Sequence, residues 1–344
     1  MLKKIGLFIL IAGLIAAFFA YNKYQDVFKP NVVEKLDDPY FYIPTNSSFD
    51  EVLHSLHEKE ILLDTASFIW VADQMNYIKP KVRSGRYKLK PGWSNRELVT
   101  HLRGGKQAPV KVILNNERTI EQVAGVVAQF IEPDSQAIVG LLSDKTYLQK
   151  HGYTPATILS LFIPNTYEFF WNKSETDFFE RMLKENEKFW SKNGREAKLK
   201  KQNLSKAEVY TLASIVEKET NKNDEKKRIA GVYLNRIKKG ILLQADPTVV
   251  FANGDFTIRR VLNKHLKFDS PYNTYMYAGL PPGPIGMASI ASIDSVLDAE
   301  DHDYIFFCAK PDLSGYHAFA KTLKGHNANA NKYRRWISKR GILK

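Results

Sequence analysis

Apolar residues fill positions 5–21 without a charged interruption, directly after Lys3 and Lys4. As a helix rising about 1.5 Å per residue, that run reaches roughly 25 Å, enough to cross a thin bilayer core. The two lysines place a short stub, residues 1–4, in the cytoplasm and the rest of the chain outside. A cleaved export signal is the competing reading. Phe18 and Phe19 interrupt the small residues at 16–20 that cleavage needs, so an uncleaved anchor is favoured. Residues 22–38 are polar, contain Pro30 and lack an apolar period, which reads as a linker.

Beyond 38 the pattern becomes short strands and capped helices. Tyr40 to Ile43 reads as a strand, and Ser48 with Glu51 forms a capping box opening a helix. Val110 to Leu114 is a second such strand, followed by the box of Thr119 and Gln122; Ser94 and Glu97 make a third. Residues 39–130 therefore read as an α+β repeat module. Residues 131–203 read as a helical connecting region broken at Pro133, Pro155 and Pro164, with an amphipathic helix over 178–190. The basic stretch at 194–206 reads as a solvated connection. From 204 to 344 aromatic, Pro and Gly residues cluster irregularly, and the catalytic domain is expected there.

Length and composition fit this division. A chain of 344 residues suggests two or three domains, and 25% charged with 44% hydrophobic residues is a globular balance. Lys and Arg number 50 against 37 Asp and Glu, a net charge of +13 that favours an anionic partner. The exported placement sets nucleic acid aside. One cysteine, Cys308, excludes an intramolecular disulfide. His54 and His57 share a helix face without a third ligand, so no metal and no cofactor is expected. The basic C-terminal stretch, residues 331–344, reads as a solvated helix.

One carboxyl group stands out. Ser205 and Glu208 cap a helix whose stripe is Val209, Leu212, Ala213 and Val216. Glu217 and Glu219 fall on opposite shoulders of that stripe, about 80° to either side, so they are separate groups and not a pair. Burial beside Val216 and the negative end of the helix dipole both favour a protonated Glu217. A carboxyl held neutral in this way suits a glycosidic general acid.

Several longer motifs surround it. They are Leu212 to Thr220 (Leu-Ala-Ser-Ile-Val-Glu-Lys-Glu-Thr), Gly231 to Gly240, and Gln244-Ala245-Asp246-Pro247-Thr248. Ser270-Pro271-Tyr272-Asn273-Thr274-Tyr275 and Gly279-Leu280-Pro281-Pro282-Gly283-Pro284-Ile285 follow. In these motifs the chain resembles the endolytic murein transglycosylases, the MltG or YceG-like family. The resemblance covers nearly the whole chain after the apolar run. The chain departs from the family stretch at Asn165 and at Met287-Ala288-Ser289.

The resemblance implies a membrane anchor, a LysM-like α+β module and a mixed α/β catalytic domain. It implies a lyase that cuts the β-1,4 bond between N-acetylmuramic acid and N-acetylglucosamine within nascent strands, leaving a 1,6-anhydro end. The family's catalytic Glu is assigned to Glu217. Asn235, Gln244, Asp246, Ser270, Tyr272, Asn273 and Tyr275 are expected to contact the sugar, while His317, His326 and Asn327 match a C-terminal motif. The implied partners are peptidoglycan strands, the membrane and, by analogy, penicillin-binding or other wall synthases. A non-catalytic glycan-binding scaffold is the alternative. A pyridoxal-phosphate lyase would need a cytoplasmic cofactor site and conflicts with the anchor.

Overall fold

The computed structural model describes residues 1–340. Contacts divide the chain into two compact units. The first holds residues 1–111 with 130–132 and 168–174; the second holds 112–129, 133–167 and the chain from 175 onward.

In the first unit, α1 (Leu2–Phe28) is long and apolar enough to cross a membrane, and none of the described residues buries its apolar stretch. Strand β1 (Tyr40–Ile43) leads to α2 (Phe49–Glu58) and α3 (Thr65–Gln74), and β2 (Gly85–Lys88) then returns antiparallel to β1, Phe41 opposite Tyr87. Helix α4 (Asn95–Gly104) closes the layer. Alternation explains the sheet: Phe41, Ile43 and Tyr87 point inward with Phe49, Phe68 and Leu98 in one core. The boxes at Ser48–Glu51 and Ser94–Glu97 both form.

Two expectations are corrected here. Residues 22–38 are not a loose linker. Helix α1 continues to Phe28, Val32 and Asn31 are buried, and Pro30 and Val32 bridge to Ser94 and Leu62. Nor does 39–130 form one repeat module. The compact division falls after residue 111, because helix α5 (Ile120–Val127) packs on α6 (Ser135–Ser143) of the second unit. Strand β3 (Val110–Leu114) pairs with β4 (Asn165–Phe169), a strand inside the stretch expected to be helical.

The second unit continues through α7 (Lys145–Lys150), α8 (Glu175–Ser191) and α9 (Arg195–Gln202) to α10 (Lys206–Glu219) and α11 (Asn223–Lys238). Helices α12 (Asp246–Asn253), α13 (Asn263–Leu266) and α14 (Ile290–Leu297) follow. Strands β5 (Phe306–Ala309) and β6 (His317–Ala320) form an antiparallel hairpin before α15 (Leu323–Lys339). The connection at 194–206 is tied down: buried Arg195 pairs with Asp294 at 2.7 Å, and Lys198 with Asp298 at 2.8 Å.

Helix α10 is the centre of this unit. Its box of Ser205 and Glu208 forms as expected, yet every residue from Val209 to Val216 is buried, polar ones included. It packs against α11 and α14 at once, so burial extends well beyond a single stripe.

Candidate functional site

The polar residues of α10 form a column. Tyr210, Ser214 and Glu217 are spaced four and three apart, which puts them on one face. Facing them is the segment 285–292, running from the Pro-rich turn into α14. The Tyr210 hydroxyl accepts from the Ala288 N–H at 3.2 Å and donates to the Phe162 carbonyl at 2.6 Å. Ser214 Oγ accepts from the Ile285 N–H at 3.0 Å.

Glu217 ends the column. Its Oε2 accepts from the Ser289 hydroxyl at 2.5 Å, from the Ser292 hydroxyl, and from Lys226 Nζ at 3.0 Å. The Lys226 side chain is only 4% exposed, so Glu217 is the anion that neutralises a buried cation. Burial alone would push the Glu217 carboxyl up, but the hydrogen bonds from Ser289, Ser292 and Lys226 outweigh it and hold it below its ordinary value. This corrects the expectation of a protonated Glu217: all its donors favour the carboxylate.

Glu219, the last residue of α10, has the opposite environment. Burial pushes its carboxyl up to about 7, the nearby charge of Asp246 pushes the same way, and a hydrogen bond from Tyr233 only partly offsets them. That bond, Tyr233 hydroxyl to Glu219 Oε1, is 2.6 Å long. Glu219 also borders three openings. One, of about 520 Å³, includes Arg118, Lys218, Asp246 and Phe256. Another, of about 420 Å³, includes Gln244, Asp246, Tyr275, Phe306 and His326. The third, of about 440 Å³, includes Lys222 and His317. Glu219 is the residue common to all three.

Asp246 stands at the start of α12, where Pro247 fits the first turn. The Tyr275 hydroxyl donates to Asp246 Oδ1 at 2.6 Å. Gln244 occupies the left-handed region at φ 52°, and Arg236 braces its turn by donating to the carbonyls of Leu242 and Leu243 at 2.9 Å. The Thr274 hydroxyl accepts from the Ala245 N–H at 3.0 Å and so joins this turn to the 270–275 motif.

Of the seven sugar contacts expected, the structure brings Gln244, Asp246 and Tyr275 together beside Glu219. The other four serve the scaffold. Asn235 donates both amide hydrogens to backbone carbonyls, His302 at 2.6 Å and Tyr304 at 3.1 Å. Asn273 is fully buried and donates to the carbonyls of Leu266 and Phe268. Ser270 closes its own turn by accepting from the Tyr272 N–H, and the Tyr272 ring packs against Phe251 at 4.8 Å. His317 bonds the buried Glu225 at 2.7 Å, whereas His326 and Asn327 line the groove. A Cβ at Gly283 would lie 1.8 Å from the Ala156 carbonyl oxygen, so the bareness of this position serves chain packing.

Sequence reasoning missed Glu219 as the cleft carboxyl, and Arg118, Phe256, Phe306 and Tyr233 as its surroundings. A readable signal existed for Glu217: the column Tyr210, Ser214, Glu217 marks a polar face that needs backbone partners. Among the described residues no group of three or more His, Cys, Asp or Glu is placed to hold a metal ion.

Residues 41–332 match the YceG-like family. An endolytic murein transglycosylase of Bacillus subtilis is 29% identical over 313 residues, 85% of this chain and 83% of that protein. An endolytic murein transglycosylase of Streptococcus pneumoniae is 25% identical over 95% of this chain, which spans 64% of that longer relative. The crystal structure of a YceG-like protein from Listeria monocytogenes superposes with a TM-score of 0.56 at 28% identity, covering 84% of this chain and 97% of that one.

Proposed function

The chain belongs to the YceG-like family, and we propose that it is a membrane-anchored endolytic lytic transglycosylase of peptidoglycan with Glu219 as its acid. One observation carries the assignment of the acid. Glu219 is the carboxyl shared by all three openings, and its pKa of about 7 leaves a substantial fraction protonated at neutrality, where an ordinary carboxyl is ionised.

The chemistry follows from a single such group. Glu219 gives its proton to the oxygen bridging N-acetylmuramic acid and N-acetylglucosamine as the bond from the muramoyl C1 to that oxygen breaks. The muramoyl 6-hydroxyl oxygen then bonds to C1, and the Glu219 carboxylate takes the hydroxyl proton, restoring the acid. No water enters, and the product carries a 1,6-anhydro end. Because the nucleophile belongs to the substrate, the second catalytic carboxyl of hydrolytic glycosidases is unnecessary. Asp246, held by Tyr275, acts through charge: it adds to the larger effect of burial in raising the proton affinity of Glu219, and it favours the positive character that develops at C1.

Helix α1 is read as the anchor, with Lys3 and Lys4 on the cytoplasmic side and the groove on the outer side. There it would meet nascent strands beside the wall synthases. The first unit is read as the LysM-like module that the family resemblance implies, on the support of its β1–α2–α3–β2 order.

The test uses the full chain in detergent on long uncrosslinked glycan, with mass spectrometry of the ends. Anhydro ends are expected, and Glu219→Gln should reduce their formation by at least about a hundredfold, the scale of a lost general acid. Hydrated ends, or a Glu219→Gln enzyme as fast as the parent, would overturn the reading. Loss confined to Glu217→Gln would return the role to that residue.

A further inference from the structure

The cavity on the Arg118 side of Glu219 carries charge that cleavage of a neutral sugar chain leaves unused. Its lining includes four cations: Arg118, Lys218, Arg259 and Arg260. Arg118 lies over the Phe256 ring at 4.6 Å, and among the described residues no carboxylate is paired with any of the four. Burial and the neighbouring Arg118 both press the Lys218 ammonium below its ordinary value, and the charge of Glu217 only partly offsets them. The two carboxyls on the rim are already engaged, Glu219 by Tyr233 and Asp246 by Tyr275. The remaining lining is apolar, with Val250, Phe251, Ile258 and Ile285. A cavity with this lining fits a ligand that is part apolar and part anionic.

A glycan strand offers two anionic groups, the free carboxylates of its peptide stems and the diphosphate of a lipid-linked end. Every muramoyl unit carries its stem beside the bond to be cut, whereas the diphosphate occurs once, at the terminus. The cavity opens at Glu219 itself, and its apolar wall suits alanine side chains. We infer that this cavity binds the carboxylate-bearing peptide stem of the muramoyl unit at the scissile bond, so that peptide-bearing strands are cut in preference to stripped ones. The inference rests on the lyase reading above and adds the choice of strand.

The experiment gives the full chain, in detergent, three strands of matched length. One bears peptides with free carboxylates, one has been stripped by an amidase and its exposed lactyl carboxylates methyl-esterified, and one is stripped and esterified in the same way but keeps its lipid diphosphate. The parent should show kcat/KM about tenfold higher on the peptide-bearing strand, the size of one charge-assisted contact. Arg259→Ala with Arg260→Ala should bring the ratio close to one, and Arg259→Lys with Arg260→Lys should preserve it. No preference in the parent, equal slowing of all strands by the alanine pair, or a preference that follows the diphosphate would overturn the inference. Calorimetric binding to Glu219→Gln separates the two readings. The same order of affinities without cleavage by the parent would sink the lyase reading and leave this one standing. Cleavage without any preference would sink this one alone.

Discussion

The Tyr233 hydroxyl points at Glu219 Oε1 from 2.6 Å, and it is the one hydrogen bond that lowers the proton affinity of that carboxyl. Tyr233→Phe keeps the ring that α11 buries against α10 and removes only the donor. The carboxylate loses support, so the Glu219 pKa should rise further above about 7. In a rate profile from about pH 5 to about pH 9, the alkaline limb of kcat/KM should move upward by roughly half a unit to one unit. A limb that stays in place would show that the titrating acid is not in contact with Tyr233.

Holding Glu219 neutral costs stability, and the pH dependence has a definite sign. Its folded pKa, about 7, lies above the ordinary 4.5. Below about pH 4.5 both folded and unfolded chains hold the proton and nothing is lost. As pH rises to about 7, the unfolded chain ionises freely while the folded one resists, so the folded state weakens. Glu219→Gln should therefore be the more stable protein above pH 7, by roughly 1–3 kcal/mol after allowance for the partial access of water to the carboxyl. The difference should vanish near pH 4.5. Urea denaturation at the two pH values measures it, and a variant less stable than the parent at both would refute the account.

What the sequence made legible were the features set by local chemistry. The capping boxes at Ser48, Ser94 and Ser205, the α10 span and the apolar N-terminal helix all depend on neighbours within a turn or on the character of a run. The choice between Glu217 and Glu219 was not legible, because each shoulder of a helix buried all round is defined by partners far along the chain. Ser289 and Ser292 reach one carboxyl, Tyr233 and Asp246 influence the other. The same limit applies to Asn235 and Asn273. An amide suited to a sugar hydroxyl is equally suited to a backbone carbonyl, and only the folded loop decides between them.

For Glu217 the expected consequence of substitution is structural. Glu217→Gln leaves the Lys226 ammonium, 4% exposed, without its anion and weakens the hold on the segment entering α14. Loss of one partner from such a pair should cost about 2–4 kcal/mol, with Glu217 itself 25% exposed. Its folded pKa is depressed, so the contribution is complete above the ordinary carboxylate value of 4.5 and disappears as pH falls through the lower folded value. Thermal denaturation should show the gap at pH 7 and its closure in strong acid. Lys226→Met together with Glu217→Gln should recover part of the loss, because no buried charge then lacks a partner. A double variant as unstable as the sum of the two single ones would contradict the pairing.

Beside its backbone bridges, the segment after α1 joins the first unit through the Asn31 side chain. Asn31 donates to the Asp64 carbonyl at 2.8 Å and to Asn95 Oδ1 at 2.6 Å, while its own oxygen accepts from the Asp64 N–H at 2.7 Å. Asn95 in turn donates to the Asp26 carbonyl and to Ser67 Oγ, so one amide network ties the end of α1 to α3 and α4. Asn31→Ala removes a partner from the buried Asn95 amide and from the backbone of Asp64, whose carbonyl keeps the Ser67 hydroxyl, and should cost roughly 1–3 kcal/mol. Asn95→Ala should cost a similar amount, and the pair together less than the sum, with a coupling near 1 kcal/mol. Hydrogen exchange at the Phe41 and Tyr87 amides reads the stability of this unit alone, since β1 and β2 belong to its core. Removing residues 1–21 should leave that protection intact, whereas removal through residue 33 should abolish most of it. Equal protection in both truncations would mean that Asn31 and Val32 rest on the unit without supporting it.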